Sequence, residues 1–172
     1  MATGRPSRLV PVCLVVGALL GLGGSFAPTP SLRALAWGID GIALVVAAAC
    51  LAVHFLRRGQ DTVAAGFLVF LAGQTLVVSG SALSLEAGAA SFAAGAGLWA
   101  AALVLIGTPR VMPIAVRALG LVAALLLAAT ALMIFSGRDT TPLSHPLPFF
   151  AYPFLVFTLL GWAWWCLRAE GS

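Results

Sequence analysis

Residues 114–135 read IAVRALGLVAALLLAATALMIF, an apolar run whose single charge, Arg117, lies near its start. A bilayer's hydrocarbon core, about 30 Å thick, is crossed by ~20 such residues in a helix, so this run is long enough to span it. Working outward, five more stretches of the same kind occupy about residues 9–27, 37–56, 63–85, 90–107 and 149–167. The connections between them, 28–36, 57–62, 86–89, 108–113 and 136–148, are short. Consecutive helices joined so tightly must be antiparallel neighbours. The expected fold is all-α: a six-transmembrane-helix up-down bundle, with residues 1–172 forming one integral membrane domain.

Composition agrees. The chain is 62% hydrophobic and 8% charged, against roughly 45–50% apolar residues in soluble domains. Water would not tolerate that much apolar surface, whereas lipid accepts it. The net charge of +4 comes wholly from arginine among the basic residues. If all six stretches cross, Arg5, Arg8, Arg57, Arg58, Arg110, Arg117 and Arg168 share one side, and Arg33 and Arg138 lie opposite. Arginine in short loops marks the cytoplasmic face, so both termini are expected in the cytoplasm of a bacterial inner (cytoplasmic) membrane protein. The positive charge is assigned to orientation and anionic headgroups, and nucleic acid is not expected as a partner.

The first stretch also invites comparison with a secretory signal, because Arg5 and Arg8 precede it and Ala34-Leu35-Ala36 has a small-x-small form. Its apolar run exceeds the 7–15 residues of a signal core, so a retained helix is expected, with Pro28 and Pro30 marking its exit. Pro113 is placed to start the fifth span. Three prolines and several turn formers make Gly137 to Pro148 an irregular connection.

The two halves echo one another faintly. Arg33-Ala34-Leu35 matches Arg117-Ala118-Leu119, and Phe67-Leu68-Val69-Phe70 matches Phe154-Leu155-Val156-Phe157. With three spans per half, such a match would describe an inverted repeat of the kind behind many transporters; coincidence in an Ala/Leu/Val-rich chain is the competing account. Small residues at four-residue spacing, Gly17 with Gly21 and Ala93 with Gly97, suit close helix–helix approach, either inside the bundle or toward a second copy.

Polar groups inside an apolar span point to sites. Gln74 falls midway through the third span, with Ser81 close to the same helical face. Its amide must find another helix or a wet cavity; it reads either as a clamp between helices or, with Trp99 of the fourth span, as a ligand contact. Asp40 lies one turn beyond Trp37, where a carboxylate complements a helix start; it could also handle a cation together with Glu86. Cys13, Cys50 and Cys166 are scattered within spans and read as small core residues, although with His54 they share one half of the membrane, where a soft-metal site is conceivable. No metal and no cofactor is expected. Trp37, Trp162, Trp164 and Trp165 are expected near span ends, and the run Phe149 to Phe154 as an interfacial belt or a ligand entrance.

No Gly-x-Ser-x-Gly, His-Glu-x-x-His or phosphate-loop pattern occurs, and no paired acid and base share one place, so an enzyme is disfavoured. In helix count and size the chain resembles the substrate-binding subunits of energy-coupling-factor vitamin transporters. That resemblance covers architecture alone and implies a membrane-embedded pocket. The sequence thus favours a small-solute transporter or a membrane-embedded substrate-binding subunit. Its alternative is a non-catalytic accessory subunit, held to a membrane-protein partner or a second copy through small-residue faces.

Overall fold

A computed structural model of the protein describes residues 8–170; Arg5 lies outside them. They form six α-helices, and no strand occurs among the described residues. The helices are α1 (Leu9–Ser25), α2 (Pro30–Leu56), α3 (Asp61–Ser81), α4 (Ala89–Gly107), α5 (Ile114–Phe135) and α6 (Ala151–Glu170). Of these, α2, α3, α4 and α5 are long and apolar enough to cross a membrane, and α1 is a shorter apolar helix of 17 residues.

Each helix packs on the next, and α1 also packs on α6, so the six close into a ring. The outer surface is apolar: Ile42, Leu125 and Leu132 are 69, 72 and 71% exposed. Large aliphatic side chains turned outward on several helices make the surface of a protein solvated by lipid. The interior is dominated by alanine, with leucines and aromatics filling the gaps. Hydroxyls within the apolar layer are satisfied locally: Thr130 Oγ1 donates to the Leu126 carbonyl at 2.9 Å and Thr158 Oγ1 to the Phe154 carbonyl at 2.7 Å. Such bonds spare the group a search for a partner across the bundle.

One end of the ring carries Arg8, Arg57, Arg58 and Arg110 and the α2–α3 and α4–α5 connections. Arg117 points back there: its Nε donates to the Gly107 carbonyl at 2.6 Å and its Nη2 to the Thr108 carbonyl at 3.0 Å. It therefore closes the carbonyl end of α4, where a cation also opposes the helix dipole. The other end carries the α1–α2, α3–α4 and α5–α6 connections.

Toward the arginine-rich end the ring is filled by aromatic rings. Phe55 of α2 stacks on Phe67 of α3 (centroids 5.6 Å) and on Trp165 of α6 (5.5 Å). Trp162 meets Phe67 and Phe70 edge-on, at 4.9 and 5.7 Å, and Phe70 stacks on Trp99 of α4 at 5.9 Å. Trp162 is therefore a core residue, although its sequence position near the end of a span suggested a headgroup contact. The motifs that suggested a repeat have different surroundings: Phe67 and Phe70 are buried, whereas Phe157 is exposed and Phe154 half-buried.

The glycines of α3 set the tightest contact. Gly66, Gly73 and Gly80 recur every seven residues and all face α4. A Cβ on Gly73 would lie 2.9 Å from the Gly95 carbonyl oxygen, and one on Gly95 would lie 2.7 Å from that of Gly73. Backbone meets backbone there, which only glycine permits. Gly97 differs, since a Cβ on it would find only the Ala131 Cβ, at 3.8 Å. Ala93 is fully buried.

Candidate functional site

Between the aromatic filling and the arginine-poor end, the ring encloses a cavity of about 370 Å³. Small-molecule sites occupy roughly 300–1,000 Å³. Its rim comes from the start of α2 and the connections, with Pro30, Ser84, Glu86 and Pro142, and its walls from α1, α2, α3, α4 and α6, with Gly17, Leu44, Val78, Trp99, Leu155 and Leu159. The walls are mainly aliphatic and aromatic.

Asp40 is the charged group of the deep wall. The sequence reading began the second span near residue 37, which left Asp40 in its first turn at the membrane surface. The structure begins α2 at Pro30, where Thr29 accepts the Leu32 amide at 3.2 Å and proline occupies the first helical position. Proline is tolerated there because that amide has no intrahelical acceptor. Asp40 thus lies about 15 Å along the helix, some three turns in, and is 8% exposed. The dipole account of its position does not apply at that depth.

The floor beneath Asp40 is glycine. A Cβ on Gly21 would stand 3.2–3.4 Å from all three atoms of the Asp40 carboxyl group, and one on Gly17 would stand 3.2 Å from Oδ1 and collide with Leu44. The Gly17/Gly21 pair therefore brings α1 close to α2 and also makes space for the carboxyl group. Beside it, Trp37 Nε1 donates to the Gly21 carbonyl at 3.1 Å, which fixes the indole against the cavity wall.

Gln74 reaches Asp40 from α3. Its Nε2 donates to Asp40 Oδ2 at 3.5 Å, a long bond, and the residue is 0% exposed. Three buried atoms in this neighbourhood have no hydrogen-bond partner: Asp40 Oδ1, Gln74 Oε1 and Trp99 Nε1. Buried polar atoms are nearly always bonded, so these atoms, with Arg33 Nε nearer the rim, single out this neighbourhood as the candidate site.

The structure brings most of the residues singled out in the sequence to one place. Asp40, Ser81, Trp99 and Glu86 all line the cavity, and Gln74 bonds to Asp40 just behind its wall. Ser81 spends its hydroxyl proton on the Val78 carbonyl at 2.7 Å. Glu86 is exposed at the rim. The sequence reading missed Arg33, which lines the rim, lies 5.9 Å from the Trp37 ring centre, and has a buried Nε without a partner. Its spacing of seven residues from Asp40, two turns on one helical face, was the available signal. Tyr152 was also missed as a wall residue; its hydroxyl donates to the Pro142 carbonyl at 2.7 Å and ties α6 to the preceding connection.

Elsewhere, Cys13, Cys50, His54 and Cys166 do not form a metal-holding group of three or more. Among the described residues no group of three or more His, Cys, Asp or Glu side chains is placed to hold a metal ion. No family model, curated protein or solved structure matches this chain.

Proposed function

We propose that the protein binds a small solute within a bacterial inner membrane, as a small-solute transporter or as the membrane-embedded substrate-binding subunit of one. The observation that carries this reading is the cavity itself: solute-sized, apolar-walled and bordered at depth by Asp40 and Trp99, each with an unpartnered polar atom, with Gln74 behind the wall. A helix bundle built only to pack against a neighbour gains nothing from orphaned buried polar atoms, each of which costs roughly 1–3 kcal/mol. The arginine asymmetry supports cytoplasmic termini. The cavity mouth then faces outward and the aromatic filling faces the cytoplasm, the arrangement of a site that receives its solute from outside.

Native mass spectrometry of protein extracted gently from its own membranes tests the reading. The wild-type protein should carry a reproducible non-lipid mass, and Ser81→Phe, which fills the cavity from its wall, should lose it. Identical lipid adducts on both proteins would sink the reading. A stoichiometric partner subunit with an unoccupied cavity would favour the accessory role instead.

A further inference from the structure

The orphaned atoms specify more than a solute, because the two nearest each other in the bonding network are both acceptors. Asp40 Oδ1 and Gln74 Oε1 belong to side chains already joined through Gln74 Nε2 and Asp40 Oδ2. What they lack is a donor. The other charged groups lining the cavity, Arg33 and Glu86, stand at the rim and have opposite signs. With Asp40 ionised, the groups lining the cavity sum to an excess of one negative charge, placed deep, where the low dielectric magnifies its attraction for a cation.

We propose that the cavity takes an organic cation, a protonated primary or secondary amine on an apolar body, with its ammonium group donating to the Asp40 carboxylate, which Gln74 holds in place from behind the wall. This rests on the solute-binding reading above and narrows it to a ligand class. An ammonium supplies a donor to Asp40 and the missing charge at once, and charge-assisted bonds of this kind are about twice as strong as neutral ones; Gln74 acts through its bond to Asp40 Oδ2. The remaining walls, among them Leu44, Val78, Phe92 and Leu155, offer an inorganic cation nothing, since hard ions require a shell of oxygens. They suit a hydrocarbon or aromatic body. Trp37 and Trp99 add aromatic walls to the same cavity.

Three probes of equal apolar body decide the matter: 4-phenylbutylamine, 4-phenylbutan-1-ol and trimethyl(4-phenylbutyl)ammonium. Each is titrated calorimetrically into the protein in lipid nanodiscs, with Ser81→Phe nanodiscs correcting for partition into lipid. The amine should bind about 10- to 100-fold more tightly than the alcohol, the worth of a hydrogen bond to a charged group. The trimethylammonium compound, charged but without N–H donors, should fall between them. Asp40→Asn, which keeps the shape of the side chain, should erase the amine's advantage while leaving the alcohol nearly unchanged. Gln74→Met should reduce that advantage several-fold, and it serves as the second variant if Asp40→Asn does not fold.

Binding of the alcohol as tightly as the amine, or an amine preference that survives both substitutions, overturns the cation assignment and leaves the cavity as a solute site. No saturable binding of any probe, with wild-type and Ser81→Phe nanodiscs giving the same heats, overturns the assignment and the solute-binding reading together.

Discussion

Asp40 shows what a single buried carboxyl group costs when its hydrogen bonding is incomplete. Its carboxyl group is buried against glycine with one long hydrogen bond, and an unpaired buried polar or charged group opposes folding. Asp40→Asn should therefore raise stability, by about 1 kcal/mol or more, while removing the deep charge. Thermal unfolding in detergent, followed by circular dichroism, checks this; a lower melting temperature would mean that the carboxylate has a structural partner. Gly21→Ala provides the complementary test. Its Cβ would crowd the carboxyl group from below, so ligand affinity should drop at least several-fold with little change in melting temperature. Much at this scale could be read in the chain. An acid and an amide inside apolar spans are conspicuous, and both belong to the site. Their partnership was not readable, because 34 residues separate them and no periodicity links α2 to α3. The depth of Asp40 was misplaced for a physical reason: Pro28 and Pro30 look alike as chain breakers, yet Pro30 starts a helix.

At the scale of the helix, the contact between α3 and α4 rests on glycine at positions that the four-residue pattern does not pick out. Gly95→Leu should cost about 3 kcal/mol or more, because a side chain there meets the Gly73 backbone and Val77. Gly97→Leu, two residues away, should cost under about 1 kcal/mol, since the space beside it is open. Reversible unfolding in mixed micelles would separate the two; equal losses would show that the α3–α4 interface is arranged differently. The sequence did contain the relevant signal. Gly66, Gly73 and Gly80 repeat at seven, which keeps them on one helical face. Gly-x-x-x-Gly pairs draw attention because they are short, and in α1 the pair had a second use as the bed for Asp40. Helix existence was legible throughout, since runs of apolar residues near bilayer length have few alternatives. Helix ends were less so: α2 extends to Pro30 because proline at a first turn loses no hydrogen bond.

For the molecule as a whole, the alternation of short connections dictated antiparallel neighbours, and the structure adds the closure of α1 on α6. The arginine distribution makes a prediction about the two faces. In a variant without native cysteines, Ser84→Cys should react with a membrane-impermeant maleimide added to intact cells, and Arg58→Cys only after the cells are opened. Both positions are exposed. The reverse pattern would turn the cavity mouth toward the cytoplasm and overturn the proposed direction of solute entry. What no pattern of hydropathy could show is that aromatics fill one half of the ring and leave the other half empty. That division depends on side chains from α2, α3, α4 and α6 meeting across the axis, and each of them alone reads as an ordinary apolar residue.

Ring closure has a consequence for how the protein is made. Helices enter the membrane in order, so α1 to α5 are already there while the strip of wall formed by Tyr152, Leu155 and Leu159 of α6 is still to be synthesised. Until it arrives, Asp40 and Gln74 face an unfinished enclosure. Of the six helices, the one made last completes the wall of the proposed solute site, so an occupied site would report that α6 has inserted and packed against the other five.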